Sequence, residues 1–151
     1  MINYTRKLLL TLCLLLMAGA IWANDKLSIS RAWSPEAPPV VKVLAAYALI
    51  ENKSANDITI VSIQSPDFNK VEIHRIESEN GMMSMVKQAQ LTIPAGKVIS
   101  LQPGEIHIML IGPRKIFRDG DTLQLNLELD NGQQQTFMVP VRKHNLDNSF
   151  F

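Results

Sequence analysis

Two short stretches of the chain hold side chains whose types and spacing suit the binding of a soft metal ion. In "PGEIHIMLIGP" (103–113) His107 and Met109 stand two residues apart inside a run of Ile and Leu. The run has the pattern of a buried strand, so these two leave one face while Ile106, Ile108 and Leu110 leave the other toward a core. Met109 alone would be ordinary packing material, and a lone histidine an ordinary surface residue. The pair acquires meaning only with partners. "KVEIHRIESENGMMSMVKQ" (70–88) supplies them. Asn80-Gly81 is a two-residue hairpin signal, and the register it sets puts Glu79 opposite Met82, Ile76 opposite Met85 and Arg75 opposite Val86. His74 then lies diagonal to Met85 on one face, within reach of long side chains. Met83 shares that face nearer the turn and becomes a contender beside Met85 if a longer loop shifts the register; Met82 points the other way.

The donors on offer are thus two imidazoles and two thioethers. Thioether sulfur favours soft Cu(I), whereas Mg and Ca want oxygen ligands. Methionine has no proton to lose, so it binds without the pH penalty of a thiol. Zinc sites use Cys, His and carboxylate instead. Copper is the ion this set selects.

The elements that must position these donors are strands. "KLSISRAW", "VLAAYALIEN", "DITIVSIQS", "KVEIHRI", "SMVKQAQLTI", "KVISL", "EIHIMLIG", "DTLQLNLELDN" and "QTFMVPVRK" are short alternating or β-branched runs. Asn56-Asp57, Ser65-Pro66-Asp67, Asn80-Gly81, Pro94-Ala95-Gly96, Pro103-Gly104, Asp119-Gly120-Asp121 and Asn131-Gly132 separate them with turn chemistry. No segment has a long amphipathic helix pattern. Eight or nine strands at this spacing predict a single all-β domain, an antiparallel sandwich or small barrel with Greek-key connections. "SPEAPPVVK" (34–42) is expected as an extended loop or irregular edge, because proline cannot donate to a central ladder. Met82, Met83 and Met138 are expected to pack, and Trp33 and Tyr47 to line the core or its rim. The tail from His144 onward is expected to fray.

The first 23 residues have the three parts of an export signal: Arg6 and Lys7, the apolar run Leu8–Met17, then small residues ending at Ala20 or Ala23. Residues 8–23 fall short of the roughly 20 apolar residues a spanning helix needs, so cleavage is expected, leaving residues 24–151 as a periplasmic domain without stable membrane insertion. The lone cysteine, Cys13, lies within the apolar run and lacks the small residues before it that a lipoprotein site would want. The exported domain would then have no disulfide, thiolate metal site or nucleophilic cysteine. Losing Arg6 and Lys7 takes the 15 Lys+Arg to 13, against 14 Asp+Glu, a net charge near −1. No basic cluster points to nucleic acid.

The spacing His74, ten residues, Met85, twenty-one residues, His107, one residue, Met109 resembles the signature of the PCu(A)C periplasmic copper chaperones. "RAW", "AAYALIENKS", "VEIH", "NGMMSM", "IPAG", "LQPGEIHIMLIG" and "GDTLQLNLEL" follow in that family's order, and the resemblance spans about residues 30 to 142. It implies a cupredoxin-like β-sandwich holding one Cu(I) at a solvent-accessible edge through His74, Met85, His107 and Met109. It also implies delivery to the Cu(A) centre of respiratory cytochrome oxidase, directly or through a Sco-type protein. His144 is expected as a solvated tail residue; some members use extended termini to help bind Cu(II), and the resemblance leaves room for a minor role of that kind for it. Many members carry methionine two positions after the first histidine, where this chain has Ile76; a fifth thioether there is absent.

Other functions lack their residues. A blue-copper carrier needs a cysteine thiolate beside its histidines. An N-terminal histidine brace needs His at the cleaved terminus, whereas cleavage here exposes Ile21 or Asn24. No nucleophile–base pair or paired carboxylates stand out for a hydrolase, so no enzyme is expected. The alternatives that remain are copper storage or resistance, and an assembly or adhesion sandwich with incidental His and Met.

Overall fold

A computed structural model describes residues 26–79 and 81–143. The export signal, Cys13 and His144 lie outside the described residues. Ten strands follow one another: β1 (Leu27–Pro35), β2 (Val43–Asn52), β3 (Ile58–Gln64), β4 (Phe68–Glu79), β5 (Met82–Gln88), β6 (Leu91–Ile93), β7 (Val98–Leu101), β8 (Ile106–Pro113), β9 (Thr122–Leu129) and β10 (Gln134–Arg142). No helix forms among the described residues, and none is therefore long and apolar enough to cross a membrane.

Hydrogen bonding links the strands in the order β5-β4-β8-β2-β1-β10-β9-β3-β6, with β7 added to β2. This continuous path folds into the two layers of a cupredoxin-like β-sandwich. β1 makes the turn between layers. Its first residues pair antiparallel with β2, and its end pairs parallel with β10 through Ser34↔Val141. The register breaks between Ser30 and Trp33, where Arg31 adopts φ 51°, a conformation rare outside glycine and a means of bending a strand from one sheet to the other.

Period-two alternation builds the core between the layers. Ile73, Ile108 and Leu110 from one layer meet Leu123, Leu125, Leu127 and Val139 from the other in one buried cluster. The predicted run 84–93 is two strands rather than one. β5 stays with β4, while β6 pairs with β3 in the opposite layer through Ile58↔Ile93, so the chain changes layers between them. The segment 34–42 begins as the end of β1 and continues as a loop, as its prolines predict.

The expectation that Met82, Met83 and Met138 pack does not hold, for all three are exposed. β5 is the edge strand of its layer and its residues 82–87 are exposed on both faces, so the hairpin stands clear of the opposite layer. Met138 lies on the outer face of β10, whose Val139 and Val141 turn inward. Trp33 and Tyr47 sit half-buried at the rim, their ring centroids 5.0 Å apart.

Candidate metal centre

The hairpin β4–β5 has the register its sequence predicts: Glu79↔Met82, Ile76↔Met85, Arg75↔Val86 and, one step on, His74↔Lys87. Gly81, at φ 79°, supplies the left-handed backbone that a two-residue turn requires. On its other side β4 pairs with β8 as Glu72↔Met109 and His74↔His107. Residues paired across strands share a face. Glu72, His74, Met85, Lys87, His107 and Met109 therefore stand together on the face of β5-β4-β8 turned away from the core.

His74 is the hub of this patch. His107 lies directly across from it on β8. Met109 sits one diagonal step away on β8, and Met85 one diagonal step away on β5. Directly opposed residues have Cβ atoms about 4.5–5.5 Å apart and diagonal ones about 7–8 Å, within reach of long side chains. The two imidazole centroids are 6.2 Å apart and their planes 30° from parallel. Two rings bound to one ion through metal–nitrogen bonds of about 2 Å place their centroids roughly 5–6 Å apart, so the observed pair needs at most a small inward adjustment.

Burial grades the donors from inside to outside. His107 is 7% exposed, Met109 is half-buried between Glu72 and Ala45, and Met85 is 58% exposed on the edge strand. Met83 shares the face of Met85 but lies a further pair toward the turn, opposite Ser78; Met82 leaves the opposite face. The register thus brings the four candidate donors together and leaves Met82 out.

Hydrogen bonds fix which ring nitrogens are free. His107 Nδ1 lies 3.2 Å from the Glu105 carbonyl oxygen. A carbonyl only accepts, so Nδ1 carries the proton and Nε2 keeps its lone pair. His74 Nε2 lies 2.9 Å from Glu72 Oε2. Sequence reasoning passed over Glu72, although its place two residues before His74 puts it on the same face. Its side chain is only 8% exposed, and Lys70 and Lys87 bring their ammonium groups to 2.6 and 2.7 Å from Oε1. These contacts, with Lys70 first, then Lys87 and His74, outweigh burial and lower the Glu72 carboxyl from its ordinary 4.5 to about 2. The ionised carboxylate only accepts, so His74 Nε2 donates and His74 Nδ1 bears the lone pair. That Nδ1 is buried and has no hydrogen-bond partner.

An orphaned buried acceptor costs about 1–3 kcal/mol and calls for an explanation. A bound cation would satisfy it. Among the described residues no group of three or more His, Cys, Asp or Glu side chains is placed to hold a metal. The soft donors that the strand register brings beside the two imidazoles are the thioethers of Met85 and Met109.

Known proteins resemble this chain in sequence and in fold. The family model described as "Putative lipoprotein LpqE-like" matches residues 27–141. A protein of Leifsonia xyli subsp. xyli is 27% identical over 119 residues, 78% of this chain and 70% of its own length. An uncharacterized protein of Rickettsia prowazekii is 28% identical over 102 residues, 67% of this chain and 56% of its own length. Among solved structures, the copper-bound PCuAC domain from PmoF2 superposes with TM-score 0.66 at 18% identity, covering 78% of this chain and 93% of that domain, a likeness of fold. DR1885 from Deinococcus radiodurans is 28% identical. Its apo solution structure gives TM-score 0.61 over 79% of this chain and 80% of that one. Its Cu(I) form gives 0.60 over 77% of each chain.

Proposed function

The chain belongs to the LpqE-like family, and from that membership and the His/Met patch we propose that it is a copper chaperone acting outside the cytoplasm. It binds one Cu(I) through His74 Nδ1, His107 Nε2 and the sulfurs of Met85 and Met109. It passes the ion to the Cu(A) centre of cytochrome oxidase, directly or through a Sco-type protein. The observation that carries the reading is the strand register. It sets His107 directly across from His74 and both thioethers one diagonal step from it, at the free edge of a layer. The Cu(I) form of DR1885, similar in sequence and fold, supports the choice of ion.

The chemistry asked of such a site is tight binding with ready release. Four uncharged donors leave the ion its single positive charge and need no proton to depart. Thioethers are weaker donors than thiolates, so an acceptor rich in thiolate draws the ion away. Met85, the most exposed donor, is where an incoming sulfur gains access before the buried His107 lets go. No bond in a substrate is made or broken, so the protein carries an ion rather than catalysing a reaction.

Anaerobic titration with Cu(I) against a competing chelator, followed by addition of an apo thiolate acceptor, tests the proposal. One equivalent bound and then surrendered is the expected result. No uptake would refute copper binding, and uptake without surrender would mark storage.

A further inference from the structure

Glu72 has no place among the four proposed donors, yet its side chain is more buried than that of His74 and is the best-anchored charge on that face. Three groups converge on its carboxylate: Lys70 at 2.6 Å, Lys87 at 2.7 Å and His74 Nε2 at 2.9 Å. Both lysines approach Oε1 and leave Oε2 to the imidazole. The lysine side chains are more than half exposed, so they lose little hydration by reaching inward. A surface ion pair alone would be worth little. What the cluster adds is orientation.

We propose that Glu72, braced by Lys70 and Lys87, is a positioning residue that holds His74 in the Nε2–H tautomer and so makes Nδ1 the copper-binding atom. The inference rests on the copper reading above and deepens it. Two independent features support it. The carboxylate accepts from Nε2, and the opposite ring nitrogen is the buried side-chain atom left without a partner among the described residues. Metal-binding histidines commonly donate their second ring N–H to a carboxylate or carbonyl, which fixes the ring and raises its basicity. His107 does the same with the Glu105 carbonyl but through the other nitrogen. The two imidazoles thus offer the ion unlike atoms, Nδ1 from β4 and Nε2 from β8. Glu72 also stands directly across from Met109, so the same carboxylate borders a thioether donor.

A rival arrangement has the opposite sign. If Glu72 merely occupied the nitrogen that copper needs, its removal would free Nε2 and tighten binding.

Long-range 1H–15N correlation spectra of the histidine rings distinguish the two, because Cu(I) is diamagnetic. The expected result is the Nε2–H tautomer for His74 in the apo protein and a copper-induced shift at its Nδ1. In Glu72→Leu the tautomer preference is lost and Cu(I) affinity falls by about 10–100-fold, the usual effect of losing an outer partner. Glu72→Gln retains an acceptor oxygen and recovers part of that loss. The inference is overturned by an Nδ1–H tautomer in the apo protein, by a copper shift at Nε2, or by Glu72→Leu binding as tightly as the parent or more so. The apo tautomer is read without copper, so it judges the inference even if the variants fold poorly. A parent that takes up no Cu(I) overturns the copper reading and this inference together. Uptake with the shift on Nε2 overturns this inference alone.

Discussion

Replacing Met85 with leucine separates ligation from packing more cleanly than any other change at the site. Met85 and Met82 lie on the same edge strand three residues apart and are 58% and 73% exposed. Leucine is close to methionine in volume, and an exposed substitution of this kind changes fold stability by no more than about 0.5 kcal/mol. The two positions differ in the face they occupy. Met85 pairs with Ile76 and lies diagonal to His74, while Met82 pairs with Glu79 and leaves the opposite face. Met83 shares the face of Met85 but is displaced by a residue pair toward the turn. Met85→Leu therefore removes one of the four proposed donors and should weaken Cu(I) binding by at least about tenfold, or ~1.4 kcal/mol. Met82→Leu should leave it unchanged, and Met83→Leu should change it less than Met85→Leu does. Competition with a chromophoric Cu(I) chelator under anaerobic conditions measures all three, and thermal unfolding of the apo proteins checks that none has lost stability. Equal losses for Met82→Leu and Met85→Leu would refute the face assignment. A larger loss for Met83→Leu would show that the hairpin's outer residues, not its inner ones, hold the ion.

Other consequences follow from the same geometry. His107→Ala empties a buried position and removes the ring's hydrogen bond to the Glu105 carbonyl, which keeps only the Ile76 N–H, so it should cost about 1–3 kcal/mol in chemical denaturation and lower Cu(I) affinity by at least about 100-fold; parent-like binding would contradict its proposed role. The folded carboxyl of Glu72 titrates near 2 against an ordinary 4.5, so the folded apo protein binds fewer protons than the unfolded chain between those values. That contribution to stability is complete above about pH 4.5 and is lost as pH falls toward 2. Urea midpoints should therefore fall more steeply with acid in the parent than in Glu72→Leu, and equal slopes would contradict the ion cluster. Gly112, just past His107 and Met109 on β8, has φ 65°, and an added Cβ would meet Asn69 Nδ2 at 2.5 Å. Gly112→Ala should destabilise by about 1–3 kcal/mol in thermal unfolding, and an unchanged midpoint would show that Asn69 yields freely.

Much of the candidate site's placement was legible because β structure has a period of two and hairpin register follows from the turn. Once Asn80-Gly81 is taken as the turn, the pairings of Met85 and Val86 follow, and the structure has them. Alternation in 106–110 likewise separates His107 and Met109 from the three core residues between and beside them. The direct opposition of His74 and His107 was not legible, because β4 and β8 are remote in sequence and no turn links their register. Glu72 was missed for a related reason. A carboxylate in a strand reads as a solvated side chain, and its burial depends on Lys87 arriving from β5 beside Lys70. The single run at 84–93 hid a change of layer, since both halves alternate and only pairing with β3 tells them apart. Met82 and Met83 read as packing residues because methionine usually packs, and only a hairpin projecting beyond the sandwich leaves them in water.

X-ray absorption at the copper edge of the protein loaded with one equivalent of Cu(I) addresses the coordination itself. Two nitrogen and two sulfur neighbours, falling to one sulfur in Met85→Leu, are the predicted result. A shell of nitrogen or oxygen alone, or a sulfur count unaltered by Met85→Leu and Met109→Leu alike, would contradict it.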